Sequence, residues 1–187
     1  MSDFLSTPDP QLLPTLVQDL VAQASDVSST DEQFLRLHLV DTTILLPVTQ
    51  LTEVLTVPMG HIVPISHMPA WVMGVHNWRG EVLWMIDLGH LCGLTPWYEQ
   101  TAVSAYSAVV LQIRVPRTTF ASKSQTLGLV VNQIGEMEWC NPSVIQPLPT
   151  SRMPPEIAPF LRGYWWNSEN EMLAVLDGAA IFEAMPK

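Results

Sequence analysis

The chain has 187 residues, 48% of them hydrophobic, and a formal net charge of −10, so it has the length and apolar content for one domain, or for two small units that share a core. Its eight Lys and Arg residues are scattered, which argues against nucleic-acid binding, because that function needs clustered cations. No apolar run reaches 18 residues and residues 1–25 hold no basic leader, so we expect no membrane insertion, no secretory signal and a cytoplasmic protein.

Residues 1–30 differ from the rest and predict an N-terminal extension to a domain that spans 31–187. Within Pro14–Ala24, apolar residues recur at helical spacing and predict a short amphipathic helix. Two interpretations stay open for it. The helix folds back on the domain, which we favour, or it docks a partner protein.

From Gln33 onward, alternating apolar residues and closely spaced turn residues predict about ten short strands, and therefore an all-β barrel or sandwich. Asp87 and Asp177 each follow a strand and resemble helix N-caps, before short helices at Leu88–Leu91 and Gly178–Met185. The predicted strands are Phe34–Val40, Ile44–Val48, Gln50–Val57, Trp71–Trp78, Val82–Ile86, Tyr106–Val115, Thr126–Val131, Gln133–Cys140, Phe160–Trp166 and Glu171–Leu176.

A faint internal echo links the two halves of this strand pattern. Arg79-Gly80 precedes an apolar strand that ends in Asp87, and Arg162-Gly163 precedes one that ends in Asp177. Two similar units of this kind suit two small barrels packed together.

The segment Asn77-Trp78-Arg79-Gly80 predicts a tight turn between two apolar strands. Charged residues are scarce in the chain, so an arginine at such a turn is notable. A residue at the tip of a turn is fixed in position and free to contact another molecule. The local pattern equally allows a hairpin corner at which Arg79 is merely solvated.

The sequence offers little catalytic chemistry. It lacks the common nucleophile, phosphate-binding and zinc-protease motifs, and its five histidines form no ligand set, so we expect no cofactor and no metal. Glu136 and Glu138 face the same side of a strand, where paired carboxylates can do acid/base work, but a solvated stripe opposite Met137 and Trp139 is the interpretation that we favour. Cys92 and Cys140 lie in apolar surroundings, which predicts that both are buried thiols. The seven tryptophans predict mostly core packing, with a small-molecule-binding barrel as the rival interpretation.

In combination, several motifs make the chain resemble the CheW-like domain family, over about Glu32 to Glu183. They are Pro47-Val48 with Glu53-Val54-Leu55, the run Pro69–Val75 followed by Asn77-Trp78-Arg79-Gly80, Asp87-Leu88, Leu127–Glu136, and finally Phe160–Gly163 with Leu173–Asp177. Two positions depart from the family pattern: Trp84 stands where proline is frequent and Asn132 where aspartate is frequent.

The resemblance implies a mainly β fold of two small five-stranded β-barrels that share a hydrophobic centre, with short helices. It also implies a non-catalytic adaptor that couples the cytoplasmic tip of a methyl-accepting-type chemoreceptor to a CheA-like histidine kinase, in chemotaxis, phototaxis or type IV pilus (twitching) motility. The receptor tip would lie near the groove between the barrels, and the kinase would dock barrel to barrel. The partner-binding residues implied are Leu51, Glu53, Asn77, Arg79 and Gly80.

Overall fold

The computed structural model describes residues 31–100, 104–115, 123–147 and 155–186, with only the backbone at 114–115 and 123–124. The helix predicted within Pro14–Ala24 lies outside these residues. No helix among the described residues is both long and apolar enough to cross a bilayer.

All ten predicted strands are confirmed, with boundaries that shift by a few residues. They are β1 (Glu32–Leu39), β2 (Thr42–Pro47), β3 (Leu51–Pro58), β4 (Val72–Trp78), β5 (Glu81–Asp87), β6 (Ala105–Val115), β7 (Lys123–Val131), β8 (Gln133–Cys140), β9 (Leu161–Trp166) and β10 (Met172–Leu176). Two short helices follow β5 and β10, α1 (Leu88–Leu91) and α2 (Gly178–Ala184). Single 3-10 turns lie at Val48–Gln50, Trp97–Glu99, Pro142–Val144 and Ala158–Phe160.

The strands form two five-stranded sheets of matching design. The first sheet has the order β8-β1-β2-β10-β9, and the second has the order β3-β6-β7-β5-β4. Each contains one parallel pair, β2 with β10 and β5 with β7, among antiparallel neighbours. Position by position, the pairings of one sheet repeat those of the other, as the internal echo in the sequence predicts.

The register of that echo differs from the predicted one. Arg79-Gly80 forms a hairpin turn, whereas Arg162-Gly163 lies inside β9. The true equivalents are Gly74 and Gly163, each of which precedes a residue that is hydrogen-bonded to the loop leaving an edge strand: Val63 with Val75, and Gln146 with Tyr164.

Both glycines are required by close backbone contact. A Cβ atom at Gly74 would lie 2.1 Å from the carbonyl oxygen of Val63, and one at Gly163 would lie 2.5 Å from that of Gln146. Gly74 also has a φ of +140°, which L-residues with side chains rarely adopt. The two loops therefore approach β4 and β9 in the same way, and each curls its sheet.

Three apolar clusters are formed by the residues that the structure describes. One lies inside the second sheet and includes Val57, Met73, Leu83 and Tyr106. A smaller one lies inside the first sheet and includes Phe34. The largest takes residues from both sheets and both helices and is the shared hydrophobic centre. Burial of these side chains, at roughly 25 cal/mol per Å² of apolar surface, is the main force that holds the sheets together.

Candidate functional site

The Arg79 turn has the geometry that its sequence predicts. Trp78 pairs with Glu81, so β4 and β5 are joined by a two-residue loop. Arg79 and Gly80 have φ values of 55° and 83°, the positive values that a type I′ hairpin turn needs at both central positions. The Asn77 side chain completes the turn, because its Oδ1 accepts a hydrogen bond from the Gly80 N–H at 3.1 Å.

Glu53 meets this turn from another strand. Its Oε2 accepts a hydrogen bond from the Trp78 indole Nε1–H at 2.8 Å, and the same oxygen pairs with Arg79 Nη2 at 2.9 Å. The Arg79 guanidinium carbon also lies 5.0 Å from the centre of the Trp78 ring, within cation–π range. We name Glu53, Trp78 and Arg79 the Glu53 clasp.

The clasp joins the two edges of the second sheet. Glu53 lies on β3 and Trp78 on β4, the first and last strands in the sheet order, so their contact brings the open edges together. The side chain of Arg79 nevertheless stays 66% exposed, and that of Glu53 is 32% exposed. Arg79 is therefore anchored by Glu53, while most of its side chain faces solvent.

The five partner-binding residues implied by the resemblance do not all lie together. Asn77, Arg79 and Gly80 form the turn, and Glu53 reaches it. Leu51 begins the same strand as Glu53 but packs against the shared hydrophobic centre. Trp78 is the residue that the sequence reasoning missed, although it stands inside the turn motif.

A groove begins at the same hairpin. It has a volume of about 450 Å³ and lies between strands β5 and β7 of the second sheet and the α2 end of the chain. Trp84, Phe182 and Met185 supply the apolar part of its lining, and Gln125 and Thr126 supply polar groups. Glu81 and Val82 continue the groove toward the Arg79 turn. Val82 is 68% exposed. The clasp and the groove are thus neighbouring parts of one surface.

Asp87, which the sequence predicts as a helix N-cap, has that structural role. Its Oδ1 accepts a hydrogen bond from the His90 N–H at 3.1 Å, and its Oδ2 accepts one from the Trp97 N–H at 2.8 Å. Asp87 is therefore the predicted cap of α1 and also fixes the loop that follows. Asp177 caps α2 in the same manner. The pKa of the Cys92 thiol is raised from 9.0 to about 12, mainly by burial and to a smaller extent by the negative charge of Asp87.

Among the described residues, no three metal-ligating side chains converge. The tryptophans mostly pack inward. Trp71 and Trp84 contact the shared centre, Trp78 and Trp97 contact the second-sheet cluster, and Trp165 contacts the first-sheet cluster. Two others remain exposed, Trp139 at 53% and Trp166 at 40%. An exposed tryptophan platform is therefore confined to those two positions.

Two curled five-stranded sheets with a shared core define a small two-barrel β protein. A sequence model of the CheW-like domain matches residues 33–185, and the chain belongs to the CheW-like domain family. The fold is similar to that in the crystal structure of the scaffolding protein TtCheW from Thermoanaerobacter tengcongensis, with a TM-score of 0.62 and 18% sequence identity over 78% of this chain and 88% of that one. No curated protein sequence gives a significant match.

Proposed function

We propose that this protein is a chemotaxis-type signalling adaptor that joins the cytoplasmic tip of a chemoreceptor to a CheA-like histidine kinase and carries out no reaction itself. Membership of the CheW-like domain family supports the adaptor class. The observation that carries the proposal is the Glu53 clasp, which holds an exposed arginine in a fixed position. The adaptor would work in the cytoplasm, in chemotaxis, phototaxis or type IV pilus motility.

The clasp suits recognition of an acidic group on the kinase. Arg79 can make paired hydrogen bonds to a carboxylate, and Glu53 with Trp78 limits the conformations that it must give up on binding. The Trp78 ring, which lies against the Arg79 guanidinium, supplies apolar area beside the charge. This mixture is typical of interfaces in which polar groups set partner choice and apolar area supplies affinity.

The groove suits the receptor tip. A helix that lays an apolar stripe into a groove needs large, adaptable side chains on the other side, and Trp84, Phe182 and Met185 are of that kind. Because the groove runs from the Arg79 hairpin to α2, a receptor helix there and a kinase domain at the clasp would sit side by side.

Kinase binding is tested with Arg79→Ala and with Arg162→Ala as the matched control, since Arg162 is an exposed arginine on the first sheet. Binding is measured to a purified CheA-like kinase from the same organism. Arg79→Ala should weaken binding tenfold or more, and Arg162→Ala should bind with an affinity within twofold of wild type. Equal affinities for the two variants, with wild-type circular dichroism, would exclude the clasp as the kinase contact.

Receptor binding is tested separately at the groove. Val82→Glu places a charge at an exposed groove position, and Val144→Glu does the same at a position that is 49% exposed and is not part of the groove lining. Val82→Glu should abolish co-sedimentation with receptor-containing membranes, and Val144→Glu should not. Retention of Val82→Glu on those membranes would place the receptor elsewhere.

A further inference from the structure

A second cavity lies beneath the loop that connects β3 to β4. Its volume is about 190 Å³. Met59 and Ile62 come from the loop, Met73 from β4, Tyr106 from β6, and Trp97 from the turn after α1. The apolar cluster inside the second sheet includes Met73 and Tyr106, and Ile62 and Trp97 pack against it. The cavity therefore borders that cluster.

This space is a pocket that opens at the surface, because Met59, Gly60 and Pro64 of its lining are exposed. Its wall is predominantly apolar. A cavity of about 150 Å³ lined by Leu, Ile and Phe is known to stay dry and to bind benzene. The present cavity is slightly larger. Met59 is 49% exposed, which puts one wall of the cavity at the protein surface and gives a small molecule a way in.

The chemistry of the wall favours an aromatic occupant. The Trp97 and Tyr106 rings meet edge to face, with centroids 5.5 Å apart and planes at 82°. Aromatic edges and faces arranged in this way offer complementary contacts to a further ring. Met59 and Met73 add flexible, polarisable thioethers that adapt to flat molecules. None of the five side chains named is charged, which disfavours ions.

We propose that this cavity binds a small, neutral aromatic molecule between benzene and indole in size. The site goes beyond the adaptor function and does not depend on it. Its occupant would contact Met73 and Tyr106, which share an apolar cluster with Trp78 of the clasp. Binding therefore stabilises the sheet whose edges the clasp joins.

The test is titration of the full chain with indole, followed by NMR of methionine methyl groups. Wild-type protein should bind one equivalent saturably, and the Met59 and Met73 methyl signals should shift more than those of the other methionines. Ile62→Phe fills the cavity and should weaken binding tenfold or more. Ile145→Phe is the matched control, because Ile145 precedes Gln146 as Ile62 precedes Val63, and packs against the first-sheet cluster.

The proposal is overturned if saturating indole shifts methyl groups elsewhere but leaves Met59 and Met73 unchanged, or if no saturable binding occurs with indole and benzene. It is also overturned if Ile62→Phe and Ile145→Phe, both folded by circular dichroism, bind indole as tightly as wild type does. None of these readouts involves a receptor or a kinase, so failure here leaves the adaptor proposal unaffected.

Discussion

Replacement of Glu53 with alanine should destabilise the protein more than replacement of Arg79, although the two side chains form the same ion pair. Arg79 is mostly exposed, and an exposed ion pair contributes about 0–1 kcal/mol. The Trp78 Nε1–H bond to the Glu53 carboxylate is partly buried, and hydrogen bonds to charged groups contribute about 1.5–3 kcal/mol. Only the Glu53 variant loses both interactions.

We therefore expect Glu53→Ala to lower the free energy of unfolding by about 2–3 kcal/mol and Arg79→Ala to lower it by about 1 kcal/mol or less. Glu53→Gln is the informative intermediate. Its amide oxygen still accepts a hydrogen bond from Trp78 while the charge is removed, so its cost should fall between those of Arg79→Ala and Glu53→Ala.

Urea unfolding followed by circular dichroism measures all three variants, and an unchanged dependence on urea checks that the unfolding reaction is the same. The indole N–H signal of Trp78 in NMR spectra should move in Glu53→Ala and change little in Arg79→Ala. Equal stabilities for Glu53→Ala and Arg79→Ala would refute the reasoning, because they would mean that the Trp78 hydrogen bond does not hold the sheet edges together.

Three further predictions concern stability. Gly74→Ala should be far more destabilising than Gly60→Ala in thermal unfolding, because a Cβ at Gly60 meets nothing within 4 Å and only its positive φ opposes substitution. Asp87→Ala should cost about 2–4 kcal/mol in urea unfolding and Asp177→Ala about 1 kcal/mol, since Asp87 alone of the two is buried and also holds the loop after α1. Because the Cys92 pKa is raised in the folded state, its contribution to stability is complete below pH 9 and is lost as the pH rises toward about 12. Cys92→Ala should therefore lose less stability than wild type over that interval, and parallel pH profiles would contradict this.

The strands could be read from the sequence because local signals mark their ends. The Asn77 and Gly80 pair demands a tight turn, and Asp87 and Asp177 can cap helices wherever the strands lie. These are interactions between residues close in sequence, and alternation of apolar residues defines the strands between them.

The clasp could not be derived in this way. Glu53 and Trp78 are on different strands separated by a long loop, and their contact exists only because the sheet curls until its edges meet. The register of the echo was missed for a similar reason. Matching Arg-Gly letters are conspicuous in the sequence, but the structural requirement falls on Gly74 and Gly163, where another backbone passes.

Alternation also failed to separate the two faces of β8. Met137 and Trp139 are 56% and 53% exposed, while Glu138, which was expected to be merely solvated, forms an ion pair with Arg36 at 3.1 Å. An edge strand of a curled sheet can leave both faces accessible, and period-two patterning does not say which neighbours each face meets.

The order in which the two sheets can assemble during synthesis follows from their make-up. The second sheet uses β3 to β7, one uninterrupted stretch, whereas the first needs β1 and β2 together with β8 to β10. Pairing between distant segments is slow to form. During synthesis on the ribosome, the second sheet can therefore be complete before β10 has been made and can pair with β2. The β2 backbone amides that point toward β10 should be among the last to gain protection from hydrogen exchange, whereas those that point toward β1 should gain it earlier.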